Sequence, residues 1–204
     1  FIGTKAEQTM WILSLEWLML AVLVFWVIGA FKRLKRLRAS SKQAFVAVEA
    51  QFMQAVDLLR HCARVQELKE RVASVSVQHA HHALIPSADL LEAALQQAKP
   101  HPLRPEVIAA LDSAWQGAQV AWQAYVQLAS GQAGGPDDHV QEQSQRWLQL
   151  MTLQTHSTAQ FNAAVQDYNR AIAQFPACVV ARLSGLKAGR TFQKDAALLM
   201  QPSA

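Results

Sequence analysis

The sequence predicts an all-α protein in which a single N-terminal transmembrane helix continues into an antiparallel bundle of about four helices. Three observations support this fold class. Residues 10–31 form a nearly uncharged apolar run. Apolar residues further along recur at steps of three and four, and no segment alternates at a period of two for long enough to indicate a strand.

The composition excludes several other classes of protein. Hydrophobic residues make up 51% of the 204-residue chain and charged residues 17%, whereas a disordered chain shows the opposite balance. Two cysteines are too few for a disulfide-stapled fold. Residues 32–42 hold six cations and no acid, whereas residues 43–181 hold eight cations and twelve acids. A nucleic-acid binder more often carries a basic stripe along its body, so no nucleic-acid partner is expected.

The apolar run Met10–Phe31 predicts a membrane anchor. As a helix, its 22 residues would extend about 33 Å, enough to cross a hydrocarbon core of about 30 Å. Its one charged residue, Glu16, lies toward the outer end, where a carboxylate reaches the interface at low cost. Trp17 and Trp26 lie near the two ends of the run, which suits the aromatic belts of a bilayer.

A cleaved signal peptide is the alternative interpretation, but it requires a basic first region and an apolar core of about 7–15 residues. Residues 1–9 hold one lysine and one glutamate, and the apolar run is longer, so an uncleaved anchor is favoured. The cations that follow it place the rest of the chain in the cytoplasm. The predicted organisation is an external tail (1–9), an anchor helix (10–31), a cytoplasmic bundle (32–192) and a C-terminal tail (193–204).

The first bundle helix is predicted to continue directly from the anchor. No proline or glycine occurs between Gly29 and Pro86, and apolar residues from Phe45 to Val75 form one helical face. Pro86 is predicted to end this helix, because proline disrupts a helix interior. Ser87 would then cap a short second helix over residues 88–99.

Two further helices complete the predicted bundle. The third begins at Pro105, since proline suits the first helical turn, and extends to about Ser130, where Gly131 favours a stop. The fourth follows the loop GQAGGPDD. Its apolar face extends from Trp147 to Phe175 at the three- and four-residue steps of a bundle helix, and Pro176 ends it.

Two stretches resemble the LemA family. Residues 31–62, FKRLKRLRASSKQAFVAVEAQFMQAVDLLRHC, resemble its opening segment, and residues 161–192, FNAAVQDYNRAIAQFPACVVARLSGLKAGRTF, resemble its closing segment. The second match includes Asp167-Tyr168-Asn169, Phe175-Pro176 and Gly185. The first departs from the family where Arg60-His61 stands in place of its Pro-Asn, so the chain resembles a divergent member. The resemblance implies a bacterial inner-membrane protein with a helical bundle, no cofactor and no established enzymatic activity.

Basic residues at both ends of the bundle are candidates for contact with membrane lipid or with a partner. They are Lys32, Arg33, Lys35, Arg36, Arg38, Arg182, Lys187 and Arg190. Residues 176–192 combine some of these cations with apolar residues, which suits anionic headgroups. The alternative is that this segment caps the end of the bundle while its cations are solvated.

Two further groups of polar residues have more than one interpretation. Asp57, Asn162, Asp167 and Asn169 lie in or beside apolar helix faces and are predicted to form a structural hydrogen-bond network. The alternatives are that they are solvated surface residues or, as a disfavoured hypothesis, an acid/base pair. His79, His81 and His82 either bind a metal ion, which would need a further ligand, or form a solvated helix end. The latter is favoured.

The sequence therefore favours a non-enzymatic interaction or scaffold protein, with a protein partner or self-association in the membrane plane. A sensor or signalling adaptor that acts through its continuous first helix is the alternative. A metal-dependent enzyme that uses the histidine cluster is a third, disfavoured hypothesis.

Overall fold

A computed structural model of the chain describes residues 3–69, 75–130 and 138–193, with side chains described over 15–64, 83–130 and 138–193. Its helices are α1 (Gly3–Lys69), α2 (Val75–Ala98), α3 (Pro105–Ser130), α4 (Asp138–Ala173) and α5 (Ala177–Leu183). Within these ranges the protein is all-helical and contains no strand. The predicted fold class, a long apolar N-terminal helix followed by helices that pack in a bundle, is confirmed.

Between Leu15 and Phe31, helix α1 is exposed around its circumference and carries a single charged residue, Glu16. From Leu15 to Phe31 every large apolar side chain that the structure describes is exposed, including Trp17 (70%) and Phe25 (80%). A helix that is exposed and apolar on all sides suits a lipid environment. Among the described residues, one helix is long and apolar enough to cross a membrane, a property that a signal sequence shares.

The chain divides into two compact units. Residues 1–39 and 167–188 form the first, named here the anchor unit, and residues 40–166 and 189–204 form the second, the bundle unit. Both α1 and α4 contribute residues to each unit.

The bundle unit has one large apolar core to which α1, α2, α3 and α4 all contribute. Its most buried large side chains are Phe45, Phe52, Leu59, Leu84, Leu91, Leu95, Ile108, Leu111, Trp115 and Phe161. At its centre the Trp147 ring stacks between two others, with ring centroids 5.5 Å from Trp115 and 4.9 Å from Trp122. Such aromatic packing contributes about 0.5–1.5 kcal/mol per pair beyond the area that it buries.

Pro86 does not end a helix, contrary to the sequence prediction. It lies inside α2, and Ser87 donates a hydrogen bond to the Leu84 carbonyl (2.8 Å) within the helix and does not cap a new one. The reason is burial, because Leu84, Ala88 and Leu91 lie at helical spacing and are fully buried in the core. Tertiary packing therefore outweighs the lost backbone hydrogen bond at this proline. The predicted continuity of the first bundle helix across residues 70–74 lies outside the described residues.

Residues 189–193 of the bundle unit pack back on its core. Phe192 is 5% exposed and its ring lies against Phe161, with centroids 5.5 Å apart. Asn162 donates to the Phe192 carbonyl (3.1 Å) and accepts from the Phe192 backbone N–H (2.8 Å), so one side chain satisfies both backbone groups of that residue. A Cβ at Gly189 would lie 3.1 Å from Val165, so only a very small residue fits easily at this close approach.

Candidate functional site

The basic segment of α1 presents its cations outward around a buried leucine. Lys32, Arg33, Lys35, Arg36 and Arg38 are all exposed, whereas Leu34 between them is fully buried. Leu34 lies in a small core of the anchor unit with Ala171, Ala177, Val180 and Ala181. The alanines let the helices approach closely, and this positions the lysines of α1 beside α5.

Helix α5 ends in a hydrogen-bonded stop that requires glycine. Gly185 has φ +65°, the Gly185 N–H donates to the Arg182 carbonyl (3.4 Å), and the Leu186 N–H donates to the Ala181 carbonyl (2.9 Å). This is the Schellman arrangement, in which the residue after the C-cap adopts a left-handed conformation. Gly185 therefore fixes where the chain leaves α5.

Tyr168 of α4 holds the residues that follow this stop. The Tyr168 hydroxyl donates to the Lys187 carbonyl (3.1 Å). Burial raises the pKa of Tyr168 above its ordinary value, although nearby Arg38 acts in the opposite direction. The hydroxyl therefore stays protonated at neutral pH and remains a hydrogen-bond donor.

The outward face of α5 and of the turn before it is apolar. Phe175, Val179 and Leu183 follow one another at four-residue steps and are 73%, 49% and 85% exposed. Val179 and Leu183, four residues apart within α5, share one helical face. Phe175 also contacts α1, since its ring centroid lies 5.3 Å from that of Trp26 in an edge-on arrangement. The apolar face of α5 thus continues the apolar surface of α1.

A cavity of about 500 Å³ lies between α1 and α5. Its apolar walls are Val27, Ile28, Phe31, Val180 and Leu183. Its polar lining comprises Lys32, Lys35 and Ser184. An apolar pocket with two ammonium groups and a hydroxyl suits a molecule that has both a hydrocarbon part and an anionic group. We name it the α1/α5 cavity.

The other predicted basic residues are distributed over both units. Arg182 and Lys187 are exposed in the anchor unit, whereas Arg190 is half-buried in the bundle unit. Sequence reasoning missed Phe175 and Ser184 as members of the site. The four-residue spacing of Phe175, Val179 and Leu183 was a usable signal, but nothing in the sequence indicated that Ser184 lines the cavity.

The predicted polar network is not present as a buried cluster. Asp57 is exposed, and Asp167 is exposed and forms an ion pair with Arg170 (2.8 Å). Asn162 bonds the Phe192 backbone instead, and Asn169 is half-buried in the anchor unit. The physical reason is helical phase, because Asp57 follows Val56 by one residue and therefore points about 100° away from the core-facing row.

The histidine cluster cannot be placed as a site. His79, His81 and His82 belong to α2, but their side chains lie outside the described residues. Among the side chains that the structure describes, no group of three metal-ligating residues is present. The nearest arrangement is a pair of rings, His61 and His139, with centroids 6.1 Å apart.

A second surface cavity, of about 430 Å³, lies in the bundle unit between α1 and α4. Asp57, His61 and Arg146 line it together with Leu153, which is 51% exposed. Its mixed polar and apolar lining has the composition of a protein-contact surface. Comparison with protein-family models, with curated proteins and with solved structures finds no match to this chain.

Proposed function

We propose that this protein is a single-pass membrane protein whose helical bundle acts as a non-enzymatic interaction or scaffold module. One observation carries the proposal: in α1 an uncharged segment, residues 17–31, whose large apolar side chains are all exposed, passes directly into five exposed cations, Lys32 to Arg38. The order of these side chains along α1 matches the order in which a helix that leaves a bilayer meets the hydrocarbon core and then the anionic headgroup layer.

The proposed location is the bacterial inner membrane, with the bundle in the cytoplasm. The excess of cations immediately after the apolar segment supports this orientation through the positive-inside rule. The first residues of the chain would then lie on the outer side.

We also propose membership of the LemA family as a divergent member. Support comes from the positions that carry the resemblance, because they have structural roles that would favour their retention. Asn162 bonds the Phe192 backbone, Tyr168 bonds the Lys187 carbonyl, and Gly185 ends α5. All of them lie in the segment 161–192 that resembles the family's closing segment.

An interaction role for the bundle unit is supported by an exposed apolar residue on α4. Leu153 is 51% exposed and lines the cavity together with Leu150, Asp57 and Arg146. Exposed apolar surface rimmed by charged residues is a common feature of protein-contact surfaces.

Site-specific photo-crosslinking in the producing cells tests this role. A photoreactive amino acid at Leu153 should form a discrete adduct, with a protein partner or a second copy. The same amino acid at Val120, which is 66% exposed on α3, should form none. No adduct at either position, or equal diffuse labelling at both, would contradict an interaction module.

A sensor or signalling adaptor is the second candidate, favoured by the unbroken course of α1 from Gly3 to Lys69. A helix that continues through the basic segment would transmit movement from the membrane to the bundle. Insertion of two glycines after Ala39 should uncouple the two without removing the anchor. If cells with the insertion respond as the parent does, this candidate is abandoned.

A further inference from the structure

The α1/α5 cavity lies at the point of α1 where a membrane interface would be. Its walls include the last residues of the apolar run, Val27, Ile28 and Phe31, and the first lysine after it, Lys32. Trp26, which directly precedes Val27, contacts Phe175. Tryptophan favours the headgroup level of a bilayer. If α1 spans the membrane as proposed, this cavity opens at the depth where acyl chains meet phosphates.

Helix α5 has one buried face and one exposed apolar face, an arrangement that suits a position in the membrane interface. Its inner face is buried in the anchor unit through Ala177, Val180 and Ala181, whereas Val179 and Leu183 face outward. Leu183 is 85% exposed. Exposure of this apolar side chain is unfavourable in water, and its transfer into the acyl region is favourable. Arg182 and Lys187 on the same segment are exposed and can reach phosphates.

The charge of the cavity favours an anionic occupant. Lys32 and Lys35 line it, Ser184 adds a hydroxyl, and no carboxylate is found among the described residues of its lining. A lysine ammonium is a compact charge that binds phosphate oxygens well. A neutral hydrocarbon would not interact with the two ammonium groups or the hydroxyl, and a free inorganic anion would not contact the apolar walls.

An apolar path for a hydrocarbon chain continues from the cavity along α1. A second depression of about 400 Å³ is lined by Trp17, Leu20, Ala21, Val24, Phe25 and Ile28. Ile28 lines both cavities. From Ile28 to Trp17 the helix rises about 16 Å at 1.5 Å per residue, a length that suits most of an acyl chain.

We propose that the α1/α5 cavity binds one acidic phospholipid of the cytoplasmic leaflet. The phosphate contacts Lys32 and Lys35, the glycerol region lies near Ser184, and an acyl chain follows α1 toward Trp17. Helix α5 forms the second wall of the site and inserts Phe175, Val179 and Leu183 into the interface. This inference rests on the proposed membrane anchoring of α1.

Lipid retention by the full chain tests the headgroup contact. The protein is reconstituted in bilayers that contain phosphatidylcholine and phosphatidylglycerol, extracted in mild detergent, and analysed for bound lipid by native mass spectrometry. The parent should retain one phosphatidylglycerol. Lys32→Gln/Lys35→Gln should weaken retention by about 25-fold, the product of roughly a fivefold contribution from each cation near the surface.

The matched control is Arg33→Gln/Arg36→Gln. These arginines are also exposed in the same segment, but they do not line the cavity. The control removes the same charge at the same depth but keeps both lysines that line the cavity. Because the lipid is counted after extraction into detergent, where the surrounding anionic surface is gone, retention should stay within about twofold of the parent. Equal loss in both double variants would show diffuse attraction to the membrane, and no loss in either would show no lipid contact. Both results overturn the proposal.

A depth measurement tests the position of α5 independently of charge. In a Cys178→Ala background, a fluorophore on Leu183→Cys should be quenched by lipids brominated high on the acyl chain. A fluorophore on Leu148→Cys, which replaces a 63% exposed leucine in the bundle unit, should be quenched only by a water-soluble quencher. Aqueous quenching of both positions would refute insertion of α5. A chain that fails to enter the bilayer at all would instead refute the proposed anchoring.

Discussion

At the scale of single residues, substitution by alanine should change the free energy of unfolding in opposite directions at two glycines that have contrasting environments. Gly185 has a positive φ of 65°, which disfavours any side chain, so Gly185→Ala should lower the free energy of unfolding by about 1 kcal/mol. Gly117 lies inside α3, and an added Cβ there would meet no atom within 4 Å, so Gly117→Ala should raise the free energy of unfolding by about 0.5–1 kcal/mol.

Urea unfolding of the full chain in detergent micelles measures both glycine variants. Higher stability in both variants would contradict the left-handed conformation of Gly185, and lower stability in both would contradict the open surroundings of Gly117. The comparison is sharp because the chemical change is identical at the two positions.

Cys62 should be an inert thiol. Burial raises the pKa of Cys62 from 9.0 to about 12, although nearby Arg146 acts in the opposite direction. Since the folded thiol holds its proton where the unfolded one ionises, stability is unaffected below about pH 8 and falls as pH rises above 9. At pH 8 a maleimide should label the half-buried Cys178 and leave Cys62 unlabelled until the protein unfolds. Rapid labelling of a Cys178→Ala variant would contradict this.

At the scale of helices, two prolines differ in their cost. Pro86 lies inside α2, where it has no N–H to donate to the carbonyl four residues earlier, and Pro105 is the first residue of α3. Pro86→Ala should raise the free energy of unfolding by about 1–2 kcal/mol, the gain in helix formation less the greater freedom of the unfolded chain.

Pro105→Ala is the control, because both prolines are exposed and Pro105 occupies a position that favours proline. Its effect should be neutral or slightly destabilising. Thermal unfolding followed by circular dichroism measures both variants. A loss of stability in Pro86→Ala would mean that the local backbone around residue 86 requires proline.

The helix boundaries show which parts of the fold are predictable from sequence. The predicted start of α3 at Pro105 matches the structure, because proline suits the first helical turn, whereas the predicted stop at Gly131 lies outside the described residues. The course of α2 through Pro86 was not predictable, because it depends on burial of Leu84 and Ala88. Helix α5 was missed because seven residues are too few to establish a period. The α1/α5 cavity was not predictable from sequence either, because its prediction depends on knowing which segment packs beside Lys32.

The Asn162 side chain holds the backbone of Phe192 in the bundle unit. Asn162 makes both hydrogen bonds to the Phe192 backbone, so Asn162→Ala should lower the free energy of unfolding by about 2 kcal/mol. Gln160, which is exposed and contacts only the His156 side chain through a described hydrogen bond, is the control, and Gln160→Ala should change stability by less than about 0.5 kcal/mol. Urea unfolding distinguishes them, and equal effects would contradict a structural role for Asn162.

At the scale of the whole molecule, the apolar and the basic parts of α1 should respond differently to salt. High salt screens the attraction of cations to headgroups but leaves burial of the apolar segment intact. Washing membranes with 1 M salt, where the screening length is about 3 Å, should therefore release none of the protein, whereas detergent should release all of it. Release by salt alone would contradict a spanning helix, and a chain recovered without its apolar segment would identify a cleaved signal.

The long sequence separation between Phe52 and Phe192 has a consequence for biosynthesis. The two rings lie in the same core with their centroids 6.0 Å apart, so Phe52 lacks this neighbour until residue 192 has been synthesised. At roughly 5–20 residues per second the ribosome needs several seconds to cover that distance. During this interval the nascent bundle presents aromatic surface to chaperones and proteases. A ribosome that stalls before residue 192 would leave a product that quality control can recognise by this uncovered surface.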